Sequence, residues 1–230
     1  MIALGIQGLI QGDFTAVWQP VPKGVPGREA LAYLCASVAF GGGIGLLFRR
    51  TAALAARVLL TSLVVWFLLW RVRALFLEPL VESTWSCGET LAMIAAAWVL
   101  ATFAAGERGV RIARALYGLA LVPFGYAHFA YIQHTADMVP RWLPWHLGWA
   151  YFTGVTFLAA GVAIVFGVLA QLAAILSALQ MGLFGLLVWA PVVAARHLNA
   201  FQQGEVASTL ALTAAGWVVA DSYRGLPRSG

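Results

Sequence analysis

The sequence predicts an all-α fold: a polytopic transmembrane helical bundle of two parallel four-helix modules with about seven to eight spans. Of the 230 residues, 62% are apolar and only 10% are charged, whereas roughly 25% are charged in a soluble domain. Apolar runs of about 20 residues, the length that crosses a hydrocarbon core of about 30 Å, recur along the whole chain. Proline-rich connections separate several of them, as expected of a residue that ends helices.

The apolar runs predict one short helix over residues 2–12 and seven longer helices. The longer helices are predicted over residues 29–48, 52–70, 88–105, 111–133, 147–166, 169–190 and 206–222. We interpret the first run as part of the mature protein, because it lacks both the basic region and the small-residue cleavage site of a signal peptide.

Identical residues recur along the chain at a nearly constant spacing, which predicts an internal repeat. At an offset of 118 the matching pairs include Pro26 and Pro144, Tyr33 and Tyr151, and Gly43 and Gly161; upstream, at 120, Gly5 meets Gly125. The pairs are collinear, so we predict two modules, residues 1–107 and 108–230. An even number of helices in each module gives both the same orientation in the membrane.

The repeat makes the first helix unusually short. At the offset of 120, Met1 corresponds to Leu121, so residues 110–120 have no counterpart in the first module. The first helix then spans only about 18 Å at 1.5 Å per residue. Either the chain begins upstream of Met1 or the first helix is a half-span.

Charge asymmetry between the loops predicts the orientation. The loops on the side of the termini carry mainly arginine: Arg49, Arg50, Arg57, Arg108, Arg111, Arg114, Arg224 and Arg228, against Glu107 and Asp221. On the opposite side, where Arg71 and Arg196 are counted, acidic residues slightly outnumber basic ones. The positive-inside rule therefore predicts a multi-pass protein of the bacterial inner membrane with both termini in the cytoplasm.

Several classes of function lack support in the sequence. The net charge of +5 is explained by the positive-inside bias, so no nucleic-acid partner is predicted. The two cysteines, Cys35 and Cys87, form no metal-binding or redox motif, and we predict no metal site. Phosphate-binding loops and nucleophile elbows are also lacking. Whether the protein is an enzyme stays open, although a self-contained enzyme is not the favoured reading.

His128 is the first candidate for a functional group. The side chains of Tyr117, Leu121, Phe124, His128, Tyr131 and Thr135 are spaced three or four residues apart and would share one helix face. An ionisable group inside a membrane is a functional candidate by default. The alternative is that His128 hydrogen-bonds locally and only fixes helix packing.

Glu89 and Glu205, each preceded by glycine near the start of a predicted helix, are the next candidates. In a first turn, each carboxylate would cap the positive end of the helix dipole. The alternative is that both acids, with Asp13 and His128, line an outward-facing polar cavity that handles a proton or binds a polar head group.

Arg141 lies in a loop rich in tryptophan, between Pro140 and Trp142. Tryptophan at the level of the lipid head groups is typical of the aromatic belt of membrane proteins. Arg141 joins His128, Tyr131, Thr135, Asp13, Glu89 and Glu205 among the candidates for ligand binding or proton handling, and no catalytic residue is assigned.

The second half resembles the DoxX and DoxX-like family of small bacterial membrane proteins. The resemblance is carried by Gly125-x-x-His128-Phe129-x-Tyr131, Val139-Pro140-x-Trp142-Leu143-Pro144 and Trp149-x-x-x-Thr153-Gly154, and it covers residues 110–222, with a fainter echo in 1–105. It implies four-helix membrane modules, some of which serve as subunits or partners in quinone-linked thiosulfate oxidation or oxidative-stress assemblies. This chain departs from the family pattern in its double length.

Two functions are therefore expected. The first is a membrane accessory or anchoring subunit in a quinone-linked redox pathway, with the lipid bilayer and a redox subunit as partners. No cofactor of its own is predicted, and a quinone would enter through the partner. The alternative is a binding or transport protein whose outward cavity around His128 accepts a small lipophilic or polar-headed molecule. The sequence does not predict an oligomeric state.

Overall fold

The computed structural model describes residues 1–14, 21–102, 107–195 and 198–224, and all regular secondary structure within them is helical. The all-α prediction is confirmed. The described elements are α1 (Ile2–Gln11), α2 (Arg28–Gly45), α3 (Ala52–Leu77), α4 (Leu80–Thr102), α5 (Glu107–Ala130), α6 (Ile132–Asp137), α7 (His146–Phe166), α8 (Ala170–Ala194) and α9 (Ala200–Ser222). Arg196 and Arg228, counted in the charge bias, lie outside the described residues.

Four helices, α3, α4, α7 and α8, are long and apolar enough to cross a membrane. They contain 21 to 26 residues, and at 1.5 Å per residue each reaches or exceeds about 30 Å. These four helices indicate a membrane protein.

Helices α3 and α8 run further than predicted, because each continues through one π-helical turn. The turns comprise Phe67–Arg71 and Gly185–Trp189. Helix α3 therefore ends at Leu77 instead of residue 70, and α8 ends at Ala194 instead of residue 190. The prediction that Arg71 lies in an outer loop is wrong, since Arg71 is the last residue of the first π-helical turn and is buried. Single π-helical turns of this kind often mark functional sites.

Helices α4 and α9 begin earlier than predicted. Helix α4 begins at Leu80, directly after a proline, and the hydroxyls of Ser83 and Thr84 donate hydrogen bonds to the Leu80 carbonyl. These bonds satisfy the two hydroxyls inside the helix, so both polar side chains are compatible with it. Helix α9 begins at Ala200, where Asn199 and Gln202 form a reciprocal capping box.

Glycines let the helices approach closely. A methyl group at Gly5 of α1 would lie 2.5 Å from the backbone nitrogen of Phe40 in α2. Likewise, a methyl group at Gly125 of α5 would lie 2.6 Å from Cγ of Leu158 in α7. Small residues at such crossings are typical of helix packing in membranes. The α1–α2 and α5–α7 crossings are thus made in the same way.

The main apolar core lies between α3, α4, α5, α7, α8 and α9 and contains the fully buried ring of Tyr117. A smaller cluster joins α2, and the connection between α1 and α2, to α3. In it Phe14, Val21, Ala32 and Cys35 pack against Trp66 and Trp70. The Phe14 and Trp66 rings meet edge to face, with centroids 5.3 Å apart. This second cluster fixes the chain on both sides of the segment 15–20.

Candidate functional site

Glu89 is buried in the middle of the bundle and does not cap a helix. It is the tenth residue of α4 and only 4% exposed, while Glu205 is the sixth residue of α9. The capping interpretation of both acids is wrong, because the helices begin upstream of the predicted starts. Within the described residues, Oε2 of Glu89 has no hydrogen-bond partner. Such a group is costly to bury and calls for an explanation.

Arg71 supplies the opposing charge near Glu89. Its side chain is 2% exposed, and both Arg71 and Glu205 are close enough to Glu89 to interact with its charge. The Sγ of Cys87, two residues before Glu89 in α4, lies 3.7 Å from the Arg71 carbonyl oxygen, to which it donates. A buried arginine of α3 therefore lies near the carboxylates of α4 and α9.

Two further buried polar groups lie on the helices around this cluster. The amide nitrogen of Gln7 in α1 donates to the Ala200 carbonyl at the start of α9, at 3.1 Å. Its amide oxygen, Oε1, and the Ser208 hydroxyl in α9 have no hydrogen-bond partner among the described residues. Three buried oxygens of three different helices, including Oε2 of Glu89, thus lack partners among the described residues. We name Arg71, Glu89 and Glu205 the polar cluster.

Sequence reasoning identified the two acids of the polar cluster but missed Arg71, as it missed the buried Gln7 and Ser208. Arg71 was counted as a loop residue, and no periodicity separates Gln7 or Ser208 from ordinary helix residues. The signal that was available is the charge itself: an arginine within a few residues of a long apolar run is a candidate for an intramembrane cation.

His128 is packed closely between α5 and α7. Its Nδ1 is 2.7 Å from the Phe124 carbonyl oxygen, and its ring centroid is 5.3 Å from that of Phe157. A methyl group at Gly154 of α7 would lie 3.0 Å from Cβ of His128. These contacts favour the packing role over a ligand-binding role for this histidine.

The helix face predicted around His128 is interrupted. Tyr117, Leu121 and Phe124 share a buried face of α5, but the helix ends at Ala130, and Tyr131 has non-helical backbone angles (φ −112°, ψ 40°). Neither glycine nor proline marks this break in the sequence.

Tyr131 and Thr135 lie together beyond the end of α5. The Tyr131 hydroxyl donates to the Glu82 carboxylate, and the Thr135 hydroxyl donates to the Tyr131 carbonyl at 3.1 Å. The hydrogen bond to Glu82 raises the pKa of Tyr131 above its ordinary value, because ionising the phenol would break the bond. The pair connects the start of α4 to the link between α5 and α6.

Asp13 and Arg141 have different surroundings from the polar cluster. Asp13 forms an ion pair with Arg28 and accepts a hydrogen bond from the Phe14 backbone N–H. Arg141 is exposed in the loop before α7, beside the exposed Trp142 and Trp145. The convergence of Asp13 and His128 with the two acids on one polar cavity therefore stays a prediction. Across the described ranges, no three His, Cys, Asp or Glu side chains come together as metal ligands would.

An apolar groove of about 340 Å³ lies between α1, α2, α3, α4 and α9. It is lined by the first turn of α1 and by aliphatic side chains that belong to the other four helices or directly follow α2; these include Leu46, Leu47, Leu59, Ala96, Leu210 and Ala214. None of the seven predicted site residues lines it. We call this cavity the groove.

Comparisons with protein-family models, with curated proteins and with solved structures found no match. The resemblance to the DoxX family therefore stays a prediction, and the function must be argued from the site itself.

Proposed function

We propose that the chain is a membrane accessory or anchoring subunit of the bacterial inner membrane, built from two tandem DoxX-like modules with about seven to eight spans and both termini in the cytoplasm. The observation that carries the proposal is the close packing of α5 and α7 around His128, combined with a groove lined by apolar side chains. The close packing around His128 and the apolar lining of the groove are better suited to contact with other apolar helices than to turnover of a polar substrate.

The spacing of the helices supports the tandem modules. Helices α2 and α7 begin at residues 28 and 146, α3 and α8 at 52 and 170, and the π-helical turns at 67 and 185. Each pair is separated by 118 residues, the offset found in the sequence. Helices α4 and α9, which begin at 80 and 200, are separated by 120.

The contacts between helices support the modules independently of the boundaries. Gly5 meets Phe40 in the first half, and Gly125 meets Leu158 in the second. Gly43 meets Ile2, and Gly161 meets Val122. Gly8 meets Ala36, and His128 meets Gly154. In each of these three pairs of contacts, the residue numbers of the α1 residue and its α5 counterpart differ by 120. The residue numbers of the α2 residue and its α7 counterpart differ by 118.

The redox branch of the proposal rests on the DoxX resemblance, and deletion and copurification test it together. We expect the protein, purified from its native membrane in mild detergent, to bring down a quinone-linked oxidoreductase subunit. We also expect its deletion to lower respiratory oxidation of thiols or reduced sulfur compounds. If oxidation is unchanged and no redox subunit is found in the purified material, the redox role is rejected. The anchoring role would then have no assigned pathway.

The buried polar cluster supports a second candidate function, a binding or transport protein. Oε2 of Glu89 has no hydrogen-bond partner among the described residues, and intramembrane carboxylates facing an arginine commonly lie on proton or substrate paths. Glu205→Gln and His128→Ala test it in proteoliposomes. Reduced ligand retention or proton-coupled flux in Glu205→Gln would support the candidate. Wild-type behaviour of both variants would count against it.

A further inference from the structure

The groove lies where the first module has no helix to match the start of α5. Its lining residues Leu46 and Leu47, directly after α2, correspond, 118 residues on, to Ile164 and Val165 of α7. A methyl group at Gly118 of α5 would lie 2.9 Å from Cγ2 of Val165 and 3.0 Å from Cγ2 of Ile164. The counterparts of two groove residues are therefore covered by α5.

Two more lining residues give the same result. Leu59 of α3 corresponds to Ser177 of α8, whose Oγ is 3.1 Å from the Tyr117 hydroxyl of α5. Ala96 of α4 corresponds to Gly216 of α9, at the offset of 120, and a methyl group at Gly216 would lie 2.6 Å from the Tyr117 hydroxyl. The groove is thus the space that Tyr117 and Gly118 fill in the second half.

The matching part of α5 defines the size of the element that the groove can hold. Because Met1 corresponds to Leu121, residues 107–120 of α5 have no counterpart among residues 1–230. Fourteen helical residues extend about 20 Å, which is two-thirds of the hydrocarbon core. The groove also continues directly from the interface between α1 and α2, since Ile2 contacts Gly43 at the rim of the groove.

We propose that the groove binds one apolar transmembrane helix of a partner polypeptide. This inference rests on the proposed anchoring function and the tandem modules, and it assigns the surface through which the anchor holds its partner. The bound helix occupies the position that the first half of α5 occupies in the second module. It packs between α2 and α9, along the line of α1.

The lining specifies the chemistry of the bound helix. Where the second half offers the Ser177 hydroxyl to Tyr117, the first half has Leu59, so the helix needs no polar side chain at that level. The lining alanines of α4 and α9, such as Ala96 and Ala214, permit close approach of a backbone. The contacting face is therefore built from aliphatic and small residues.

The width of the groove favours a lone helix over a second copy of this chain. In the second half the equivalent space holds a single helix, α5, which packs mainly against α7 and α4 and reaches α8 and α9 through Tyr117. The long helices of a second copy are already packed in pairs, such as α5 with α7 and α8 with α9, so each would bring its neighbours into the groove.

Photocrosslinking in the native membrane tests this proposal. A photoreactive benzoylphenylalanine is placed at Ala214 or Leu210 in the groove, or at Ala159, an exposed alanine of α7, as the matched control. We expect Ala214 and Leu210 to capture the same apolar span of one other polypeptide, about tenfold above the yield at Ala159, as for a specific, close-packed interface.

A second comparison measures binding without the photoreactive group. Ala214→Phe adds bulk at an exposed position that lines the groove, whereas Ala159→Phe adds the same bulk at an exposed position outside it. We expect only Ala214→Phe to lower copurification of the captured polypeptide, by about tenfold, with both variants folded as judged by their thermal unfolding.

Each remaining outcome contradicts the proposal. Adducts with lipid alone, adducts with a second copy of this chain, absence of adducts, or equal yields at Ala214 and Ala159 would all overturn helix binding in the groove. The result is separate from that of the proposed redox pathway. A captured helix from a protein without a redox role would uphold the groove and reject the redox branch, whereas loss of oxidation on deletion with no adduct would do the reverse.

Discussion

The hydroxyl of Tyr117 lies 3.1 Å from Oγ of Ser177 and joins α5 to α8 in the fully buried centre of the second half. Ser177 itself donates to the Ala174 carbonyl at 2.9 Å, so its oxygen is free to accept a hydrogen bond from Tyr117. At position 59, which is 118 residues before Ser177, the first half has a leucine that lines the groove and offers no hydroxyl for such a contact.

Tyr117→Phe should lower the free energy of unfolding by about 0.5–1.5 kcal/mol, because it removes one buried hydrogen bond and leaves Ser177 satisfied by Ala174. Tyr117→Ala should cost about 3–5 kcal/mol, since it also opens a cavity. Unfolding in mixed micelles, followed by tryptophan fluorescence, measures both. Tyr126→Phe, at an exposed position of the same helix, is the control and should have no effect; an equal effect of the two phenylalanine variants would contradict the role of the hydrogen bond.

The Gly118–Gly161 crossing should be intolerant of added bulk. A methyl group at Gly161 would lie 2.7 Å from the Gly118 carbonyl oxygen, so α5 and α7 must separate to accept it. Gly161→Ala should therefore lower the free energy of unfolding by about 1–3 kcal/mol. Gly41→Ala is the matched control: nothing lies near its added methyl group, and alanine should raise stability by up to about 1 kcal/mol. Effects of the same sign would show that the crossing is not the cause.

The helical class of the fold could be predicted from the sequence because long apolar runs have few other solutions in a membrane. The starts of α2, α3, α7 and α8 were also close, since turn residues precede them. The start of α4 was missed by eight residues, because its first turns are polar; there the hydroxyls of Ser83 and Thr84 donate to the Leu80 carbonyl inside the helix.

The polar cluster was harder to predict for a different reason. Arg71 is buried near Glu89, which is distant in the sequence, and lies in a π-helical turn that has no pattern of its own. Tyr131, where α5 has ended, contacts Glu82 of another helix. Periodicity reports one helix at a time, so it does not show these contacts between helices.

Leu169 precedes α8 in the left-handed conformation (φ 48°, ψ 32°) and is exposed. This conformation costs a residue with a side chain roughly 1–2 kcal/mol, a cost that glycine avoids. Leu169→Gly should therefore raise the free energy of unfolding by about 1 kcal/mol. Leu172→Gly, at an exposed position inside α8, should lower it by about 1 kcal/mol. Unfolding measurements on the two variants give the sign of each change in the free energy of unfolding. A lower free energy of unfolding for Leu169→Gly would contradict backbone strain at Leu169.

Arg71 and Glu89 should be strongly coupled, because both are buried and each provides charge compensation for the other. Arg71→Met and Glu89→Gln should each destabilise the fold, the arginine variant by about 3–5 kcal/mol, since it leaves buried carboxylates without their cation. The double variant should lose less stability than the two single variants lose in sum, with a coupling energy of about 1–3 kcal/mol.

The partly exposed pair Asp13 and Arg28 provides the comparison for this cycle. Its side chains are 49% and 24% exposed, so solvent screens the attraction, and its coupling energy should stay below about 1 kcal/mol. Unfolding in mixed micelles at two salt concentrations measures both cycles. Added salt should weaken the coupling of Asp13 with Arg28 and leave that of Arg71 with Glu89 nearly unchanged, because buried pairs are screened much less. Equal salt sensitivity would mean that water reaches the Arg71 pair, and the polar cluster would then be an open cavity of the kind the transport function requires.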